Sequence, residues 1–179
     1  MALLQPAAVA ASQPGHPPFA AADFVWEQVE EAAVRAYRAG GAEAALLHWR
    51  RGLAVARQHF PQCDPRLGTA LVNYGFALRR RGEQYAAMRH FSLAEDVFGR
   101  GDRWLDLVAT DPAGTPFDDI ARASFAKLIA RARTTSRAIR IDDEIPVGSL
   151  EQWRRERPAR PCDARKLLAS ALLFVSRAG

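Results

Sequence analysis

The side chains best suited to acid–base or metal chemistry are the four histidines, His16, His48, His59 and His90. None belongs to a His-x-x-x-His or His-Glu-x-x-His pair, the spacing that sets two imidazoles on one helix face around zinc. His48 and His90 each stand one residue before an aromatic, Trp49 and Phe91, so helix packing accounts for them. Cys63 and Cys162 are the only cysteines and form no Cys-x-x-Cys, which disfavours a disulfide framework, a zinc site and attached haem. There is no Gly-x-Ser-x-Gly, no phosphate loop and no Gly-x-Gly-x-x-Gly, and Asp118-Asp119 reads as the start of a helix rather than an acid–base pair. The expectation is a protein without catalytic residues, metal or cofactor.

Arginine is the other residue that could do chemistry. Only Lys127 and Lys166 are lysines among the 25 basic residues, so nearly all the positive charge sits on guanidinium groups, which bind carboxylates and phosphates bidentately. Arg122, Lys127, Arg131, Arg133, Arg137 and Arg140 follow one another with no acid between residues 121 and 140. Arg122, Arg133, Arg137 and Arg140 share one side of a helix and could meet phosphates or an acidic partner, while Lys127 and Arg131 point away. No aromatic lies on the basic side to stack bases, so pairing with Asp142, Asp143 and Glu144 or plain solvation is the favoured reading. Arg154, Arg155, Arg157 and Arg160 beside Trp153 form a second basic patch. The net charge of +5 is modest for 179 residues, and 49% apolar with 25% charged residues rules out a chain disordered throughout.

These residues need elements to hold them. Residues 1–22, with Pro6, Pro14, Gly15, Pro17 and Pro18 among alanines, read as a flexible tail. With Asp23 as cap, residues 24–38 carry Val25, Val29, Ala32, Ala33, Ala36 and Tyr37 at helical spacing, and Gly40-Gly41 stops the run. Residues 42–60 repeat the pattern through Ala45, Leu46, Trp49, Leu53 and Ala56 before Pro61. Asp64-Pro65 starts a third helix that runs to Arg81, and a fourth follows Gly82 to about Phe98. Setting Gly40 against Gly82 also pairs Ala45 with Ala87, Trp49 with Phe91, Gly52 with Ala94 and Val55 with Val97 at one interval of 42 residues. The unit is a helical hairpin that stacks: small residues permit close approach and aromatics fill the space between hairpins.

The second hairpin reads, over residues 71–94, Leu-Val-Asn-Tyr-Gly-Phe-Ala-Leu-Arg-Arg-Arg-Gly-Glu-Gln-Tyr-Ala-Ala-Met-Arg-His-Phe-Ser-Leu-Ala. Through Asn73, Gly75, Leu78, Gly82, Ala87, Phe91 and Ala94 it resembles the tetratricopeptide repeats, with the aromatic after the turn displaced by one to Tyr85. In the first hairpin Ala33 stands where Gly75 stands in the second, and Gly52 replaces the family's alanine. The 42-residue interval exceeds the usual ~34 and is similar to the longer repeats of kinesin light chains and many bacterial proteins. The resemblance, over residues 24–98, implies an all-α, short two-repeat solenoid whose concave groove takes a helix or peptide of a protein partner. That groove would hold Glu27, Glu30, Glu31, Val34 and Arg38 on an acidic wall, and Thr69, Val72, Asn73, Phe76, Arg79 and Arg80 on a basic one. Asn73 and Arg80 could furnish part of the clamp with which some members hold a C-terminal carboxylate, but Glu30 and Val34 occupy places where that clamp needs cationic or amide groups.

Two repeats are few for a stable stack, so residues 99–179 are expected to cap it. Trp104, Leu105, Leu107 and Val108 suggest a short helical piece. A helix from about Thr115-Pro116 to Ile139 gathers Ala121, Phe125, Leu128, Ile129, Ala132 and Ile139 on one face. A final helix over residues 163–177 is apolar almost all round and must be buried, in this chain or through Leu168, Leu172 and Val175 in a homo-oligomer. Its most apolar window falls well short of a membrane span, and the start Met-Ala-Leu-Leu-Gln-Pro lacks a secretory pattern, so a cytoplasmic protein is expected. The sequence points to an adaptor or assembly factor, with a small nucleic-acid-binding protein using residues 122–140 as the alternative.

Overall fold

Six helices follow one another in the computed structural model, which describes residues 21–109 and 119–141: α1 (Ala21–Arg38), α2 (Ala42–His59), α3 (Pro65–Arg80), α4 (Gln84–Gly99), α5 (Gly101–Ala109) and α6 (Asp119–Ile141). No strand occurs among the described residues, and the chain is all-α there. Of the tail expected over residues 1–22, residues 21 and 22 belong to α1 and the rest lies outside the described residues, as do the loop expected over 141–161, apart from Ile141 at the end of α6, and the apolar helix 163–177. One boundary needs correction. Asp23 falls inside α1 rather than at its cap, because the alanines before it are strong helix formers and carry the helix back to Ala21.

The internal repeat is visible atom by atom in the turns. Gly40 and Gly82 have φ of 82° and 84°, the left-handed conformation that a side chain disfavours. Gly41 N–H donates to Ala36 O at 2.9 Å and Gly40 N–H to Tyr37 O at 2.9 Å; 42 residues on, Glu83 N–H donates to Leu78 O at 3.0 Å and Gly82 N–H to Arg79 O at 2.9 Å. Each α-hairpin thus closes with the same Schellman-type exchange, which satisfies the last carbonyls of α1 and α3 and reverses the chain. The third helix starts differently. Asp64 accepts the Arg66 backbone N–H at 2.9 Å with Pro65 at the first helical position, as its sequence signals. The same carboxylate receives the Arg66 guanidinium, whose Nη2 lies 2.6 Å from Oδ2 and whose plane stacks 3.9 Å from the Phe60 ring centroid. Both side chains are buried, and these hydrogen bonds offset the cost of removing the two charges from water.

Packing follows the repeat pattern. Trp49 and Phe91 are both fully enclosed, as are Ala45 and Ala87, so equivalent residues fill equivalent space. The small residues are there because their neighbours leave no room: a Cβ on Gly68 would sit 2.7 Å from Phe98 Cζ, and one on Gly75 would sit 3.1 Å from Phe91 Cε1. Tyr37, Trp49 and Phe76 meet with centroids 5.5 to 6.3 Å apart and join the two hairpins. Tyr85, the displaced aromatic, is 95% exposed and takes no part in this packing. His90, half-buried, sets its ring edge-on to Tyr74 at 5.1 Å and its Nδ1 2.8 Å from Ala86 O, the packing role its spacing suggested.

The third layer is a single long helix rather than a hairpin copy. Early in α6, Phe125 lies edge-on to Trp104 of α5 at 5.4 Å and Ile129 fills the space beside Gly101; at its end, Arg79 of α3 donates to the carbonyls of Ile139 and Arg140 at 2.5 and 3.0 Å. These contacts make α6 antiparallel to α4, with Arg79 satisfying carbonyls that every helix end leaves open. In this position α6, with α5, caps the hairpins, as a two-repeat stack requires.

The turn glycines give a direct test. Nothing lies within 4 Å of a Cβ built on Gly40 or Gly82, so Gly40→Ala and Gly82→Ala should each cost only the left-handed backbone penalty of about 1–2 kcal/mol, read as a lower urea midpoint with unchanged slope. Matching losses at the two sites are the expected result.

Candidate interaction site

The residues assigned to a groove are brought together on α1 and α3, but most of them are not on a surface. Glu30, Thr69, Val72 and Asn73 are essentially inaccessible, and Val34 and Phe76 are buried. This corrects the sequence reading: six of the eleven groove residues belong to the interior in this conformation. Thr69 Oγ1 donates to Pro65 O at 3.2 Å, the back-bond typical of a helix threonine, and Phe76 packs on Tyr37 and Trp49. Arg79, half-buried, holds the end of α6 and stacks near Phe76 and Phe91, so its part is structural. Glu27 and Glu31 stay half-buried, Glu31 with Arg35 at 3.3 Å, while Arg38 and Arg80 are exposed.

Glu30 is the unexpected member. Its carboxyl Oε2 accepts Asn73 Nδ2–H at 2.9 Å, linking α1 to α3 inside the apolar core, and its Oε1 has no hydrogen-bond partner among the described residues. Trp26, one turn earlier, and Trp49 are also fully buried with unpartnered indole N–H groups. Gly52 is the residue that makes this possible, since a Cβ there would collide with Glu30 Oε1 and sit 3.2 Å from its Cδ. The departure of Gly52 from the alanine of the second repeat is therefore a consequence of Glu30. Burial pushes the Glu30 carboxyl up to about 8, against the smaller opposing effect of the Asn73 hydrogen bond, so it is protonated at neutral pH. A carboxyl within the apolar stripe of Trp26, Val29, Ala33 and Val34 was the available sequence signal for this pair.

The basic face of α6 is built into the fold. Arg133 Nε lies 2.9 Å and Arg137 Nη2 2.6 Å from the same Glu95 oxygen of α4, and Arg122 Nη2 lies 2.6 Å from Asp106 of α5. Burial raises the Glu95 carboxyl, but the hydrogen bonds and charges of Arg137 and Arg133 outweigh it and hold the group below its usual range. Three of the four arginines proposed for phosphate thus have acidic partners on neighbouring helices, and Arg140 is exposed near the end of α6. The acids first considered for this pairing, Asp142, Asp143 and Glu144, and the patch of Arg154, Arg155, Arg157 and Arg160 lie outside the described residues.

Among the described residues no group of three His, Cys, Asp or Glu side chains could hold a metal, and no helix is long and apolar enough to cross a membrane. Cys63 is buried, and burial followed by the Asp64 charge pushes its thiol up, away from the reactive thiolate. No family model, curated protein or solved structure matches the chain.

The Glu30 carboxyl predicts how stability depends on pH. With a folded value near 8 against an ordinary 4.5, the folded state keeps its proton where the unfolded state has lost it, so stability should fall as pH rises from about 4.5 to 8 and then level. At about 1.4 kcal/mol for each pH unit, the loss amounts to several kcal/mol. Glu30→Gln, which keeps an acceptor for Asn73, should flatten that slope and exceed the parent in stability at pH 8; urea midpoints of both proteins from pH 4 to 9 check it.

Proposed function

We propose that the chain is a non-catalytic protein-interaction module of tetratricopeptide-repeat type, an adaptor or assembly factor that receives a helix or peptide of a larger protein along α1 and α3. The observation that carries this reading is the duplicated hairpin. Two units repeat their turn hydrogen bonds, their enclosed aromatics and their small-residue contacts at one interval of 42 residues. Such repetition builds a rigid face from successive hairpins, a use of structure that needs no reactive group. Accessible charge of both signs borders the face, with Glu27 and Glu31 on α1 and Arg38 and Arg80 at the C-terminal ends of α1 and α3.

The nucleic-acid alternative loses support from the pairing of Arg122, Arg133 and Arg137 with Asp106 and Glu95, since phosphate would have to displace those carboxylates. A cytoplasmic setting accords with the interaction reading.

The test is isolation of the protein, tagged at its N-terminus, from its native cells with and without nuclease. A stoichiometric protein partner that survives nuclease is the expected result; a monomer alone, or nucleic acid lost on digestion, refutes the reading. Arg80→Glu, at an exposed site, should then weaken that complex by tenfold or more while leaving the urea midpoint nearly unchanged. Arg79→Glu is unsuitable for the purpose because it would also release the end of α6.

A further inference from the structure

Three polar atoms in the core of the first hairpin lack a hydrogen-bond partner among the described residues: Trp26 Nε1 and Glu30 Oε1 on α1, and Trp49 Nε1 on α2. The residues 42 positions on are Gly68, Val72 and Phe91, whose side chains bring no polar atom. A buried polar group without a partner favours any conformation that returns it to water. The contacts of α1 show where such a conformation can form. Glu30 Oε2 accepts Asn73 Nδ2–H, Tyr37 lies edge-on to Phe76 at 5.5 Å, and Trp26 lies edge-on to Phe60 at 5.8 Å. The contacts that join the later helices do not use α1: Phe98 and Phe91 of α4 press on Gly68 and Gly75 of α3, Arg79 holds the end of α6, and Glu95 of α4 holds Arg133 and Arg137. Covalently, α1 joins them only through the Gly40-Gly41 turn.

We propose that Glu30 is a proton-operated latch: with its carboxyl neutral, α1 lies closed on α2 and α3, and when the carboxyl gives its proton to water, α1 lifts about the Gly40-Gly41 turn while α3, α4 and α6 stay folded. The geometry leaves an ionised Glu30 no other relief. Its one described hydrogen bond is already made, and the space beside Oε1 is closed by the backbone of Gly52. Among the described residues no charge faces it from α2 or α3. Those helices present Gly52 and Asn73 to it; the arginines of α2 are exposed, and Arg66, Arg79 and Arg80 of α3 go to Asp64, to α6 and to solvent. On α1 itself Glu27 and Glu31 are half-buried acids, which offer an anion no support. Burial and the Asn73 hydrogen bond alone act on the proton, and they place its loss at about pH 8 in the closed form against 4.5 in water. Lifting bares Phe76 where Tyr37 packs on it, so part of the face assigned to a partner opens as pH rises.

This rests on the interaction reading for its functional meaning, but its test needs no partner, so the two can fail separately. The buried indoles beside the latch are its probes, since Trp26 and Trp49 N–H groups exchange with water only when the core around them opens. Nitrogen-15 NMR of the full chain would follow their hydrogen exchange from pH 5.5 to 7.5, each rate divided by that of free indole at the same pH to give an opening constant. The constant should rise about tenfold for each pH unit, some hundredfold in all, because the open form carries the ionised carboxyl. Whole-chain unfolding shares that slope, so the magnitude separates the two. At pH 7.5 the indole constants should exceed those of the Phe91 and Ala94 backbone amides in α4 by a hundredfold or more, and they should respond far less to low concentrations of urea. Equal constants at the indoles and in α4 would mean that only the whole chain unfolds and would overturn the proposal, as would indole constants that do not change with pH. Glu30→Gln should abolish the slope at both indoles, and a retained slope assigns the proton elsewhere and overturns the latch. Should that variant fail to fold, the comparison of indoles with α4 in the unaltered chain decides.

Discussion

Helix α3 is buried from Pro65 to Leu78 with the partial exception of Tyr74, and the rest of the structure answers to that constraint. A helix enclosed on nearly every side can carry only side chains that some neighbour accepts. Glycine stands at positions 68 and 75 because the rings of Phe98 and Phe91 press against the backbone there. Asp64 and Arg66 enter the interior as a pair, each supplying the hydrogen bonds the other needs. Arg79 can leave the interior only at the last turn, where the open carbonyls of α6 receive it.

Burial of one central helix also explains how the two hairpins depart from each other. The second presents Val72 where the first presents Glu30, and an apolar residue at that register needs no compensation. The carboxyl of Glu30 does, and it obtains it from both sides: Asn73 donates to it, and Gly52 gives up a side chain to make space. The pair ties the hairpins in register, because shifting α1 along α3 would strand both polar groups in the core. The strength of that tie varies with protonation, since an ionised Glu30 would carry a charge that only one described hydrogen bond offsets.

Much of the fold was legible in the sequence, because its determinants are local. Gly40 and Gly82 mark turns whose geometry demands glycine, Asp64-Pro65 marks a helix start, and the 42-residue interval reports equivalence between hairpins. The expected groove was only a list of residues at one helical register. Whether such residues are open or covered depends on contacts between segments far apart in sequence, and helical spacing is silent about them. The same limit applies to α6. Its arginines are visible in the sequence as a basic run, but the acids that receive them, Glu95 and Asp106, lie on other helices at separations of 38, 42 and 16 residues.

A two-hairpin stack has a particular reason to bury residues that a longer array can leave exposed. In a long array each hairpin is stabilised by neighbours on both sides, and the concave face can stay open for ligand without loss of integrity. Among the described residues the first hairpin has a neighbour on one side only, and the second is backed by α5 and α6, so apolar residues that a longer array could leave in a groove are needed as core. Val72 and Phe76 at about the middle of α3 illustrate the conflict: exposed, they would serve a partner, and buried, they hold the stack together.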